Sequence, residues 1–199
     1  MFNIKSMLSR SLLALALVSG AGAAVAGPTY HVSIDTAALG TGTAYLDLSL
    51  GALEGAAPVS ATLSHFTGAF GDFTDRLGAS SGTVDGSVVL DNSETWSDLF
   101  QEIVLSGLFS FDVSFEGSGS GAGTTFGAAL FGADMSTNLG LPGYLVQIDL
   151  LPGVDDVLSP ANAYASVTPA VTDVPEPGEL AMLLTGLGLM GFTLRRRSR

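Results

Sequence analysis

Two histidines, His31 and His65, are the only imidazoles in this 199-residue chain. Three close acid pairs, Asp72 with Asp75, Asp91 with Glu94 and Asp155 with Asp156, are its other candidates for chemistry. Imidazoles serve as bases or metal ligands, and paired carboxylates hold calcium or act as an acid and a base across a glycosidic bond. Neither histidine lies in an HExxH-type helix or another metal-spaced cluster, so each reads as a solvated or hydrogen-bonded strand residue. No acid pair falls in the spaced loop of an EF-hand or an RTX repeat, and the acids read instead as a solubilising surface. No GxSxG elbow accompanies the serines, and GSGSGAG lacks both the lysine and the following helix of a phosphate loop. With no cysteine, thiolate catalysis, disulfides and cysteine-ligated metal centres are excluded. The expectation is no catalytic residue, no metal site and no cofactor.

Charge is segregated along the chain. Six of the seven basic residues lie at the ends, while between Gly27 and Asp173 seventeen carboxylates face Arg76 alone, a net −16. So acidic a body opposes binding to nucleic acid or to anionic lipid.

The elements that position these groups alternate at period two. In TAYLDLSL, Leu46, Leu48 and Leu50 share one face against Tyr45, Asp47 and Ser49. In LFSFDVSFEG, Phe109, Phe111, Val113 and Phe115 alternate with Ser110, Asp112, Ser114 and Glu116. YHVSID, VSATLSHF, GTVDGSVVL, TTFGAALFG and YLVQIDL complete about seven short strands between glycine-rich turns. The fold class expected is all-β, an antiparallel β-sandwich over residues 27–158. SETWSDLFQEIVLSG is the one candidate helix, with Ser93 as N-cap and Trp96, Leu99 and Ile103 on one face, and reads equally as a strand edge. EGSGSGAGTT reads as a flexible turn, a long hairpin loop or a plain linker. Residues 159–173, rich in Pro, Ala, Ser and Thr, read as an extended stalk.

Both ends look like addresses. Lys5 and Arg10 precede the apolar run SLLALALVSGAGAAVA, and the small pair Ala24 and Ala26 suits a signal peptidase cut before Gly27, so residues 1–26 read as a cleaved signal peptide. Residues 180–194 carry no charge and as a helix would span about 22 Å, short of a bilayer core of about 30 Å. Arg195, Arg196, Arg197 and Arg199 follow, a cytoplasmic basic cluster that stops a short transmembrane helix. Pro175 and Pro177 hold Val174 and Glu176 extended ahead of it.

This tail, residues 174–199, with Val174, Pro175, Glu176 and Pro177 before the apolar segment and the arginines, resembles the PEP-CTERM protein-sorting signal. The same tail is sometimes labelled an ice-binding protein C-terminal domain, a name that carries no ice-binding activity. The resemblance implies that exosortase, an integral-membrane cysteine-dependent transpeptidase, recognises Pro175, Glu176 and Pro177 and processes the chain nearby. It also implies a membrane-anchored precursor that passes to the cell surface or extracellular matrix of an exopolysaccharide-producing Gram-negative bacterium. The partners expected are therefore signal peptidase and exosortase during export, the membrane before processing, extracellular polysaccharide afterwards, and no nucleic acid. For the body the expected role is structural or adhesive rather than enzymatic. The alternatives are a secreted polysaccharide-active enzyme, with an acidic pair in one cleft, and a carbohydrate-binding module, whose exposed aromatics must come from Tyr30, Tyr45, Trp96, Tyr144, Tyr164 and some phenylalanines.

Overall fold

Strands rather than helices organise the body, because apolar side chains recur at every second position and glycine-rich turns separate the runs. The computed structural model describes residues 27–117, 122–151 and 153–170. The strands are β1 (Thr29–Asp35), β2 (Gly42–Ala52), β3 (Val59–Thr67), β4 (Phe70–Leu77), β5 (Ser80–Gly82), β6 (Val88–Asp91), β7 (Trp96–Leu105), β8 (Leu108–Gly117), β9 (Thr124–Phe131), β10 (Val146–Leu150), β11 (Val157–Leu158) and β12 (Ala165–Pro169), with one 3-10 turn at Ala37–Leu39. Sheet A runs β12-β1-β8-β3-β6-β5 and sheet B runs β11-β10-β9-β2-β7-β4. Every pairing between these strands is antiparallel. The expected all-β body of antiparallel sheets is present.

The inward faces of the two sheets share one apolar core. Val32, Ile34, Phe109, Phe111 and Val113 of sheet A are buried in the same cluster as Leu46, Leu48, Leu50, Leu99 and Phe126 of sheet B. Phe126 meets Phe111 and Phe115 across the gap at ring-centroid distances of 6.3 and 6.0 Å. Polar side chains also tie the layers at one end. Asn92, just after β6, accepts from the Val59 amide and donates to the Ala57 carbonyl and to Thr124 Oγ1 on sheet B. Ser97 of β7 donates to the Asp91 carbonyl and accepts from the Ala79 amide. Tyr30 donates at 2.6 Å to Asp156 Oδ2 in the β10–β11 connection, and burial together with that carboxylate raises the phenol well above its ordinary range.

Several expectations are corrected. The candidate helix at 93–107 holds strand β7, paired on both sides by β2 and β4. Its period was masked because two inward positions, Ser97 and Gln101, are polar and three outward ones, Trp96, Phe100 and Val104, are apolar. Gln101 remains buried because β4 is irregular between Phe70 and Thr74, and its amide donates to the Gly71 and Phe73 carbonyls at that irregularity. GTVDGSVVL is not one strand: a turn breaks it, and β5 and β6 pair as a hairpin. The stretch 116–125 is no hairpin loop, since β8 and β9 belong to different sheets. The expected stalk at 159–173 contains β12, which pairs with β1, so the folded unit is Gly27–Thr172 rather than 27–158. The signal peptide over 1–26 and the helix over 180–194 lie outside the described residues. Among the described residues no helix is long and apolar enough to cross a membrane.

Candidate functional site

The outer face of sheet A gathers both histidines on one carboxylate. His31 on β1 stands directly opposite Asp112 on β8, and its Nδ1 lies 2.7 Å from Asp112 Oδ1. Unbroken alternation would send His65 to the core side with Leu63. The register slips between Ser64 and Thr67, and His65 adopts φ +54°, a left-handed conformation costing on the order of 1 kcal/mol that redirects its ring. Its Nδ1 then reaches Asp112 Oδ2 at 2.9 Å. Partial burial by itself raises the Asp112 carboxyl, but the hydrogen bonds from His31 and His65 outweigh it and hold the group below the usual aspartate range. Ser64 Oγ lies 3.4 Å from the same His65 Nδ1. A hydrolytic triad needs one ring nitrogen for the serine and the other for the acid, so this trio is a polar clasp and not a relay.

The outer face of sheet B has a different character. Its register lays Trp96, Gly51, Thr125 and Asp149 in one row across β7, β2, β9 and β10, with Asp98, Ser49, Gly127 and Gln147 in the next. Glycine decides what the floor can hold. A Cβ on Gly127 would stand 2.2 Å from the Tyr144 ring, and one on Gly51 would stand 3.0 Å from the Trp96 indole, so each aromatic lies down on a position that has no side chain. Trp96 Nε1 donates to Asp98 Oδ2 at 2.9 Å and fixes the indole in place. Between these rings and Leu53, Leu151 and Val157 opens a cavity of about 580 Å³. Its polar wall is Asp149, which accepts from Thr125 Oγ1 at 2.7 Å and from Gln147 Nε2 at 3.0 Å.

Beyond this cavity the same face becomes an aromatic cover. Tyr45 stacks on Phe100 at 5.1 Å and meets Phe73 edge-on, and Phe100 leans on Phe131. Asp47, opposite Phe100 on β2, is half-buried, and its Oδ1 has no hydrogen-bond partner among the described residues. Burial first, and then the Asp98 charge, push its carboxyl up to about 7.

In each acid pair singled out from spacing, one member is held by a local or latch hydrogen bond. Asp72 and Asp75 are exposed on β4, where Asp75 accepts from the Arg76 amide. Asp91 accepts from the Ser93 amide, while Glu94 is exposed. Asp156 holds Tyr30 and its neighbour Asp155 is exposed. Among the described residues no group of three or more histidines and acids is placed to hold a metal ion. Of the aromatics named from sequence, Trp96 and Tyr144 meet at the cavity and Tyr45 joins the cover, whereas Tyr30 and Tyr164 pack against the core. The role of Gln147, Asp149 and Thr125 escaped sequence reasoning, because it depends on the register between β9 and β10.

Of the residues expected at the processing sites, only Gly27 is described. The folded unit begins there, and a Cβ at this position would lie 1.7 Å from the Phe115 carbonyl oxygen. Ala24 and Ala26, the motif Val174, Pro175, Glu176 and Pro177, and the cluster Arg195, Arg196, Arg197 and Arg199 lie outside the described residues. No curated protein and no solved structure matches the chain. The family model described as PEP-CTERM protein-sorting motif matches residues 173–197. The chain thus carries a PEP-CTERM protein-sorting motif at residues 173–197, directly after the two-sheet unit Gly27–Thr172.

Proposed function

We propose that this chain is an exported protein, sorted by exosortase to the surface or the extracellular polysaccharide of a Gram-negative cell, where its body is structural or adhesive rather than enzymatic. The observation that carries the route is the sorting motif at 173–197. A signal peptide over residues 1–26 opens that route, and the start of the folded unit at Gly27 supports a cut after Ala26. A non-enzymatic body is supported by what its acids and histidines do. One acid of each pair is spent in a turn or latch, His65 turns one nitrogen to both its partners, and Asp47 Oδ1 is wholly buried, out of reach of a substrate.

The test is a Glu176→Ala protein in a host that has exosortase. The apolar run 180–194 and the arginines are untouched, so insertion persists while processing falls, and precursor accumulates in the membrane fraction on an immunoblot. Processing of the variant at the wild-type rate would overturn the reading.

A further inference from the structure

We propose that the cavity between Trp96 and Tyr144 on the outer face of sheet B is a binding site for a neutral glycan chain. This deepens the adhesive reading and rests on it. A pyranose ring has a flat, apolar C–H face and a rim of hydroxyl groups, and a site for it needs flat apolar surface beside fixed hydrogen-bond acceptors. Both are built here. Trp96 is tethered by Asp98 and seated on Gly51, and it keeps 38% of its surface exposed. Tyr144 is seated on Gly127 with its hydroxyl 3.5 Å from Ser49 Oγ.

The acceptors are equally fixed. Thr125 and Gln147 both donate to Asp149, the Gln147 nitrogen lying 3.0 Å from each carboxylate oxygen, and this holds the pair in place on the cavity wall. A carboxylate with spare lone pairs beside a carboxamide accepts from vicinal hydroxyls, and its charge repels an anion. The cavity, about 580 Å³, falls within the about 300–1,000 Å³ of small-ligand sites and admits more than one sugar ring.

Charge selects the ligand class. Asp149 stands at the site, Asp98 stands beside Trp96, and the body from Gly27 to Asp173 carries a net −16, so uronate-rich, sulfated or phosphorylated chains are repelled on approach. Uncharged hexose polymers meet no such barrier.

The experiment uses the full chain in zwitterionic detergent, titrated calorimetrically with cellohexaose, mannohexaose and, as the anionic counterpart, hexagalacturonate. At least one neutral hexasaccharide binds, and hexagalacturonate does not at 0.15 M salt. Trp96→Ala and Asp149→Ala each weaken the neutral ligand tenfold or more. Trp96→Phe retains most of the affinity, and His31→Ala on the opposite sheet has no effect. Near-ultraviolet circular dichroism checks that each variant is folded.

Several outcomes overturn the proposal: no binding of either neutral hexasaccharide at millimolar concentration, binding indifferent to Trp96 and Asp149, or preference for hexagalacturonate. A concentration-dependent dimer that Trp96→Ala abolishes, with no glycan binding, would assign the face to a second copy of this chain. None of these results bears on processing of the tail, so failure here and failure of the sorting reading are separable.

Discussion

Sheet A and sheet B bury their inner faces in one core, yet their outer faces differ in kind. On sheet A the outward positions of the central strands are small and polar: His31 and Ser33 on β1, Ser60, Thr62 and Ser64 on β3, and Ser110, Asp112 and Ser114 on β8. On sheet B the outward rows hold Tyr45, Asp47 and Ser49 on β2, Trp96, Asp98 and Phe100 on β7, and Ala129 and Phe131 on β9. Tyr45, Ser49 and Ala129 are as buried as core residues. A sheet that faces only water needs no aromatic cover and no glycine seats. The apolar investment on the outer face of sheet B is what the proposed glycan site requires, and the central strands of sheet A carry none of it outward.

The comparison is tested first at the two carboxylates that sit on opposite faces. Asp47 is raised from 3.8 to about 7 in the fold. The folded state therefore holds an extra proton between those values, and stability falls as pH rises through that window and stays low above it. Asp47→Asn removes the loss. Its gain is about 1–3 kcal/mol at pH 8 and shrinks toward zero near pH 4, within the ceiling that about 1.4 kcal/mol per unit sets. Urea unfolding at the two pH values reads this directly, and an equal effect at both would mean that Asp47 is not desolvated.

Asp112 has the opposite sign and a smaller effect. Its carboxyl is held low by two exposed histidine contacts, so its contribution is present above the unfolded aspartate range and is lost as pH falls through the folded value. Asp112→Asn costs less than about 1 kcal/mol at pH 7, the scale of exposed pairs, and nothing in strong acid. A loss at pH 7 as large as the gain from Asp47→Asn would erase the distinction between the faces.

The same contrast explains what could be read from sequence. The central strands of sheet A, β1, β8 and β3 as far as Ser64, alternate because one side meets core and the other meets water, and all three were legible. In sheet B, β2, β9 and β10 were legible from their inward Leu46, Leu48, Leu50, Phe126 and Ile148. Strand β7 was not, since polar Ser97 and Gln101 point inward and Trp96 and Phe100 point outward, a mixture that imitates helical spacing. Strand β4 has no period to read, its residues Asp72 to Leu77 all being exposed along a sheet edge. β12 was hidden in a composition that suits a stalk, and only its pairing with β1 makes it a strand.

Site residues followed the same logic. Trp96 and Tyr144 could be named as aromatics, but their meeting depends on β10 pairing with β9 and β9 with β2, a nonlocal register. The convergence of His31 and His65 depended on a register slip that local pattern does not encode. The sorting tail was legible because its signal is a linear order of residue types that needs no fold.

The central claim is that the tail sets the route while the outer face of sheet B holds the processed protein in place. The most direct measurement expresses wild type, Trp96→Ala and His31→Ala in an exosortase-bearing host that makes a neutral exopolysaccharide, and quantifies processed protein on washed cells and in the medium. The account predicts identical processing of all three, with His31→Ala retained like wild type and Trp96→Ala shed into the medium. Retention of processed Trp96→Ala at the wild-type level would contradict it.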